Sequence, residues 1–350
     1  MADDIRQHSA GQHVLLVKTS SLGDVIHAMP AITEAASHGV RITWVVEEAF
    51  ADIARLHPHV HAVIEVAVRR WRSNLSTART EFAAFRQRLR KDTYDLVLDS
   101  QGLLKSAAIS LLAKGPVAGY SHTSAREPWS AFFYRARHRV APHQHAIQRQ
   151  RQLFAQALGY PLAAQMPDGL PIQVERGKQV LLLHGTTWAT KHWPDRMWQG
   201  LAELVAAAGY EAVMTWGNSA EQVRAEQLAQ QASVTVLPKQ SLPQLAQHLA
   251  AAAAVVGVDT GLTHLSATMG TPTVGVYGPT SPALTGCLGR HTVSLSSQLQ
   301  CAPCIADRCR AYRGAELLWR EHPVDPPCFA ELTPERVWQQ AQQLMQQAAV

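Results

Sequence analysis

The sequence predicts an α/β protein made of two open, mostly parallel sheets, and three observations lead there. Short apolar runs alternate with helix-periodic stretches along the whole chain, the mark of βαβ units. The alternation restarts after an irregular stretch, rich in proline and glycine, near the middle. The length of 350 residues suits two domains at the usual ~100–200 residues each.

The first half opens with HVLLVK, an unbroken apolar run of the kind a buried parallel strand needs. The turn SSLGD leads into the helix pattern VIHAMPAITEAASHG. RITWVV, HAVIEV, YDLVLD and the short GPVAGY read as further strands with helical stretches between them, and residues 145–160 as a closing helix. Residues 161–179 hold three prolines and two glycines with little periodicity, and read as a linker. The second half restarts with VLLLHGTT, then alternates: a helix around PDRMWQGLAELVAAAG, strand YEAVMTW, helix SAEQVRAEQLAQQA, strand VTVLP, helix LPQLAQHLAAAA, strand VVGVD, a short helix, strand TPTVGVYG. The terminal ELTPERVWQQAQQLMQQAAV is an amphipathic helix with Thr333 as N-cap and Pro334 in its first turn. The expected organisation is two Rossmann-like domains, 1–165 and 166–332, facing across a cleft. The helix at 333–350 is expected to pack back toward the first domain.

Composition narrows the function classes. Hydrophobic residues at 47% and charged residues at 17% give ordinary globular cores. No apolar run approaches the ~18–20 residues of a membrane span, and the opening MADDIRQHSAGQ lacks a signal-peptide core. A soluble, cytoplasmic chain is expected. A net charge of +5 favours an anionic partner. Without an RNA-binding signature, helix-turn-helix spacing or basic tail, an anionic substrate or surface is expected rather than nucleic acid.

In open α/β sheets ligands sit at the carboxyl ends of strands, so chemistry is sought there. In VDTGLTH, Asp259 ends a buried strand, and Thr260 and Gly261 open a helix whose free N–H groups and dipole suit a phosphate. Helix capping by Asp259 and Thr260 explains the same residues equally well. His264 in the first turn and a neighbouring strand end, YGPT, tilt the choice toward a ligand. HGTTWATKHWP supplies the Thr186 and Thr187 hydroxyls and the Lys191 ammonium, a mobile point charge suited to a diphosphate. Glu221 of WGNSAE is either a ribose contact or an exposed acid at a helix start. Asp24 of SSLGD is either a general base or a helix cap. No GxGxxG follows the first strand, which argues against a dinucleotide oxidoreductase. A two-lobed binding protein is the third class, disfavoured because such proteins are usually exported.

Residues 69–91 carry eight basic side chains against one acid. They form either a solvated helix face or a grip on an anionic acceptor or phospholipid. Arg126 and Arg149 could extend that surface. The cysteines all lie in the last quarter. Cys301, Cys304, Cys309 and Cys328 are spaced as Cys-x2-Cys-x4-Cys with the fourth nineteen residues on. Free thiols are favoured over a structural zinc site, because the spacing fits no standard ribbon.

Taken together, VKTSSLGDVIHAMPA, VEEAFADI, VRRWR, DSQGLLKSA, AREP, KHWP and VDTGLTHL, in this order, resemble the lipopolysaccharide heptosyltransferases of glycosyltransferase family 9. The resemblance covers nearly the whole chain, and SS-hydrophobic-GD is the form of the type I branch. It implies a GT-B fold and an inverting transfer of L-glycero-D-manno-heptose from ADP-heptose. The acceptor it implies is the inner 3-deoxy-D-manno-octulosonic acid (Kdo) of Kdo2-lipid A, with no cofactor or metal needed for catalysis. Domain 1–165 would then bind the acceptor and domain 166–332 the donor. By position, Asp24 matches the catalytic base and Lys191 the diphosphate contact. Glu221 matches the ribose contact, while Thr186, Thr187, Asp259, Thr260, Gly261 and His264 match the donor walls. Gln240 falls at a donor-lining position of variable type. Lys18, Arg69, Arg70, Arg72, Lys105 and Arg126 match positions facing the acidic acceptor. A membrane-borne acceptor implies peripheral association with an anionic surface, the cytoplasmic face of the inner membrane. CAPCIADRC departs from the type I pattern and is closer to type II, which adds the second heptose.

Overall fold

The computed structural model describes residues 11–73, 75–170, 172, 174–309 and 317–349. Most of the opening segment, residues 1–10, read above for a signal peptide, lies outside the described residues. The chain divides into two compact units, Met1–Leu170 and Pro171–Val350, with the division inside the irregular stretch at 161–179.

In the first unit the strands are β1 (His13–Val17), β2 (Arg41–Glu47), β3 (Val60–Val66), β4 (Leu96–Asp99), β5 (Val117–Tyr120) and β6 (Ala136–His138). The helices are α1 (Leu22–Ser37), α2 (Ala51–Arg55), α3 (Val68–Ser73), α4 (Leu75–Leu89), α5 (Leu104–Leu112) and α6 (Ala146–Leu158). The sheet is parallel throughout, in the order β3-β2-β1-β4-β5-β6. β1 is buried along its whole length, which is why HVLLV shows no alternation. Beneath the sheet, α1 and α6 pack together around a buried ion pair. Arg151 donates from Nε to Glu34 Oε2 at 2.7 Å and from Nη2 to Oε1 at 3.1 Å, and Glu34 Oε1 also accepts from Ala163 N at 2.7 Å.

The second unit repeats the plan. β7 (Gln179–Leu183), β8 (Glu211–Met214), β9 (Val234–Val236), β10 (Ala254–Val258), β11 (Thr273–Tyr277) and β12 (Thr292–Ser296) form a parallel sheet in the order β12-β11-β10-β7-β8-β9. A small antiparallel pair, β13 (Leu318–Trp319) and β14 (His322–Pro323), stands apart. The helices are α7 (Asp195–Ala207), α8 (Ser219–Ala229), α9 (Leu242–Ala251), α10 (Gly261–Thr268), α11 (Pro282–Thr285) and α12 (Pro334–Ala348). Counted from the first strand of each unit, both sheets run 3-2-1-4-5-6. The order reverses between β1 and β4 in the first unit and between β7 and β10 in the second. At such a switch point the loops leave in opposite directions and open a crevice for a ligand.

The terminal helix contributes to the core of the second unit. α12 buries Val337, Trp338, Ala341 and Leu344 in the core of the second unit, against α7 and the sheet. That part of its apolar stripe packs within its own unit. Trp193 fixes the approach to it, donating from Nε1 to Leu332 O at 3.0 Å. The capping reading holds: Thr333 accepts from Arg336 N, with Pro334 in the first turn.

Candidate active site

In the second unit the switch point lies between the loops that leave β7 and β10. Lys191, in the first of these, places Nζ 2.8 Å from Asp259 Oδ2 just beyond β10. His264 Nε2, on α10, lies 3.4 Å from Asp259 Oδ1, and Thr186 Oγ1 donates to Asp259 O at 3.4 Å. One carboxylate therefore gathers two potential cations. Burial would raise the Asp259 pKa, but the hydrogen bond from His264 and the charge of Lys191 outweigh it and hold the group well below the carboxylate range. Burial would likewise lower His264, yet its bonds to Asp259 and Cys287 lift its pKa to about 9. At neutral pH the three side chains carry one net positive charge.

Local sequence explains this gathering. Gly257 in β10 lets α10 turn close over the strand, since a Cβ there would meet Thr263 Oγ1 at 2.1 Å. Thr263 Oγ1 instead donates to Val258 O at 2.8 Å. Thr260 stands at the N-cap of α10 with extended backbone but no side-chain capping bond. Asp259 binds cations and is no cap.

Glu221, in the first turn of α8 just after β8, joins the same region. Its Oε2 accepts from Gly217 N at 2.8 Å, and its carboxyl lies so near the β7 loop that a Cβ on Gly185 would come within 2.7 Å of Cδ. Glycine at 185 is thus what admits an acid beside the HGTT turn. Thr187 is exposed on that turn. Gln240 lies after β9, where its amide donates to Pro238 O at 3.1 Å. Among the described residues no hydrogen bond joins it to the Asp259 group.

Arg224 went unremarked in the sequence and braces the loop that carries Lys191. Its guanidinium donates to His184 O at 3.2 Å and Trp193 O at 2.8 Å, pairs with Asp195 at 2.6 Å, and meets His192 Nδ1. Only the fold reveals this, because the partners are 29 to 40 residues away.

In the first unit the switch point holds Asp24. Ser21 is the N-cap of α1, and Asp24 Oδ2 accepts from Ser21 N at 3.0 Å as the third residue of the helix. Its other oxygen accepts from Lys18 Nζ at 3.2 Å. Burial pushes the Asp24 pKa up, but Lys18, the Ser21 amide and His27 outweigh it and hold it at about 2. The side chain remains 34% accessible. Asp24 therefore supports its helix and is also within reach of a ligand, where the sequence posed these as alternatives.

Asp99 and Gln101 hold this turn in place, and sequence reasoning missed both. Gln101 Oε1 accepts from Thr19 N at 2.8 Å, and its Nε2 donates to Ser20 O at 2.7 Å. Asp99, wholly buried, accepts from Gln101 N, Gly102 N and the Tyr134 hydroxyl. Burial pushes the Asp99 pKa up against these bonds. DSQG was the available signal, an acid and an amide at the end of a buried strand.

The expected acceptor-side cations fall into distinct groups. Lys105 Nζ donates to Ser20 Oγ at 3.2 Å, beside the Asp24 turn. Arg126 is exposed, its backbone brought against the β4 loop because Gly102, at φ +68°, leaves room for it. Lys18 is buried and engaged with Asp24 and Ser100 O. On α3, Arg69 and Arg72 are exposed, whereas Arg70 is neutralised by Glu48 (2.8 Å) and Glu81 (2.5 Å). Arg149 turns inward, donating to Ser124 O at 2.6 Å and covering the Tyr120 ring.

Cys301, Cys304, Cys309 and Cys328 together line a cavity of about 180 Å³, and none of the four forms a disulfide among the described residues. Among the described residues, no group of three or more His, Cys, Asp or Glu side chains is gathered so as to hold a metal ion. The loop is nonetheless tied to the site: Thr190, next to Lys191, donates to Ala306 O at 2.6 Å.

Two doubly wound sheets, each with a polar cluster at its switch point, suit an enzyme that uses an activated anionic donor, and comparison with known proteins defines the class as a glycosyltransferase. Residues 82–313 match glycosyltransferase family 9 (heptosyltransferase). Lipopolysaccharide heptosyltransferase 1 of Pseudomonas aeruginosa is 48% identical over 350 residues, spanning 95% of this chain and 98% of that protein. The solved structure of Escherichia coli heptosyltransferase WaaC with ADP matches with a TM-score of 0.77 at 43% identity, covering 81% of this chain and 92% of that one. WaaC with ADP-2-deoxy-2-fluoro heptose matches with 0.75 at 42%, covering 81% and 93%. The chain belongs to glycosyltransferase family 9, the heptosyltransferases. The glycosyltransferase reading of the sequence is borne out over the oxidoreductase and binding-protein readings.

Proposed function

We propose that the chain transfers L-glycero-D-manno-heptose from ADP-heptose to the inner Kdo of Kdo2-lipid A, in synthesis of the lipopolysaccharide inner core. The observation that carries the donor half is the Lys191–Asp259–His264 cluster at the switch point of the second unit. Its net positive charge and the N-terminus of α10 suit a diphosphate. Glu221, beside the β7 loop, takes the ribose hydroxyls. The first unit supplies the base, Asp24.

In the proposed step the Kdo hydroxyl oxygen attacks the anomeric carbon as the bond to the β-phosphate oxygen breaks. The hydroxyl proton passes to Asp24, ADP leaves with the bonding pair, and the configuration inverts. Lys191 and the α10 amides stabilise the charge that develops on ADP. Lys105, Arg126, Arg69 and Arg72 face the acidic acceptor. Lys18 acts instead through Asp24, which it holds ionised. Because lipid A is a membrane lipid, this reading places the chain at the cytoplasmic face of the inner membrane. Identity to the Pseudomonas aeruginosa enzyme supports type I chemistry.

The test is ADP release from ADP-heptose with Kdo2-lipid A or, separately, its heptosylated product as acceptor. Release with Kdo2-lipid A alone is expected. Release only with the heptosylated acceptor would make this a type II enzyme, and release with neither would overturn the assignment.

A further inference from the structure

Two neighbouring elements of the first unit invert the usual order of burial. The 3-10 turn Pro128–Phe133 buries Ser130 and Ala131 while leaving Trp129 68%, Phe132 60% and Phe133 46% exposed. Trp129 and Phe132 stack, with centroids 5.7 Å apart. Beside it, α5 buries Ser106, Ala107, Ile109 and Ser110 yet exposes Leu104 and Leu111. Leu104, Ala108 and Leu111 follow i, i+4, i+7 spacing and share one face of that helix. The two elements pack together, and Glu127 joins them by accepting from Leu104 N at 2.7 Å. Five of the large exposed apolar side chains thus lie on two elements that pack together, and such a concentration marks an interaction surface, where scattered exposed leucines would not.

The surrounding charge identifies the occupant. Residues 101–139 carry six Lys and Arg against a single acid, Glu127. Glu127 is engaged with the Leu104 amide. Arg126 precedes the aromatic turn, and Arg135, Arg137 and Arg139 follow it, all exposed; these last three alternate along and beyond the edge strand β6. A second copy of the chain would set like charges against one another. An anionic bilayer instead takes both parts of the surface. Trp and Phe settle at the headgroup level, with Leu below and Arg against the phosphates. Residues 69–91, the surface suggested by sequence, suit this less well. There Arg70 is paired with two carboxylates, and Arg90 donates to Leu112 O at 3.0 Å.

We infer that Trp129, Phe132, Phe133, Leu104 and Leu111, with the arginines of β6 and its flanks, form a docking surface for an anionic phospholipid bilayer. The inference rests on the reading that the acceptor is membrane-borne, and it places the anchor on the unit that carries Asp24.

The test is flotation with phosphatidylglycerol–phosphatidylethanolamine vesicles and with phosphatidylcholine vesicles. It compares the wild type with Trp129→Ser/Phe132→Ser and, separately, Arg135→Gln/Arg137→Gln. The wild type is expected to bind the anionic vesicles. Both variants should bind about tenfold less or weaker, the arginine pair showing the smaller dependence on salt. The aromatics are exposed, so thermal melting and ADP affinity should not change. ADP release with a water-soluble, deacylated Kdo acceptor should also hold in the variants, while turnover of the vesicle-borne acceptor falls. Vesicle binding by the aromatic variant equal to wild type would overturn the inference. So would a wild type that ignores anionic vesicles, or a wild-type dimer that the substitution merely splits. If even the wild type releases no ADP with the soluble acceptor, the transfer reading fails, and flotation still judges the docking surface by itself.

Discussion

Lys191 Nζ lies 2.8 Å from Asp259 Oδ2, so the cation assigned to the donor diphosphate is already held by a carboxylate. The pair is largely buried, at 16% and 10% side-chain exposure. Asp259 orients the ammonium, while His264 on the opposite oxygen restores a positive balance for the ligand. Removing the lysine should therefore cost more than a surface ion pair would. Lys191→Ala is expected to weaken ADP binding by about 1.5–3 kcal/mol, roughly ten- to hundredfold in Kd. Calorimetric titration with ADP checks this, and unchanged affinity would remove Lys191 from the diphosphate site.

The same cluster sets a pH dependence. His264, raised to about 9, is protonated at neutral pH. As pH climbs through about 9 it loses its proton, and the cluster falls from one net positive charge to none. ADP affinity is expected to decline across that interval. The sign for stability is the same. A pKa raised from 6.5 contributes stability that is complete below 6.5 and lost as pH rises through about 9. In His264→Gln both pH dependences should disappear, as ADP titrations and melting curves across alkaline pH would reveal.

Asp24 and Lys18 make a paired prediction. Asp24→Asn should lower turnover by ~10²–10⁴-fold, the usual worth of a general base, and leave ADP-heptose binding intact. A near-wild-type rate would exclude Asp24 as the base. Against burial, which raises it, Lys18 together with the Ser21 amide and His27 holds the Asp24 pKa at about 2, below an ordinary 3.8. Lys18→Met should shift the acid limb of kcat/KM upward, because burial then acts without the opposing charge. A limb that stays put would show that Lys18 does not tune Asp24.

Glu34 and Arg151 lie far from this chemistry in sequence, and their side chains are each only 2% exposed. Deleting one partner leaves a buried charge without its counter-ion. Glu34→Ala should destabilise the first unit by ~3–5 kcal/mol, read as a lower midpoint in urea. A loss under about 1 kcal/mol would put the pair in the class of exposed bridges.

Much of this architecture was legible because buried parallel strands carry unbroken apolar runs. HVLLV, VLLL and VVGV announce themselves. β6 did not, since Ala136–His138 is a short exposed edge strand with no apolar run. β12 hid for a related reason: TVSLS is half-buried and mixed in polarity. In the site, Asp24, Lys191, Asp259 and His264 could be found because each closely follows a strand. Asp99, Gln101 and Arg224 could not be assigned, because their roles are contacts between distant segments, such as the 82 residues separating Thr19 from Gln101. The basic run at 69–91 shows the same limit for Arg70. Glu48, from outside the run, comes across to pair with Arg70.

The shared strand order of the two sheets has a further consequence for how such enzymes diversify. It makes the halves one blueprint used twice, and on the proposed reading opposite work is written into equivalent crevice loops: a carboxylate that accepts a proton in one, cations that receive a leaving group in the other. On that reading a change of nucleotide or sugar calls for edits in the loops after β7, β8 and β10, and a change of acceptor for edits in those after β1, β3, β4 and β5. Each half is thus a cassette, and chimeras joined near Leu170 are a natural route to new donor–acceptor pairs.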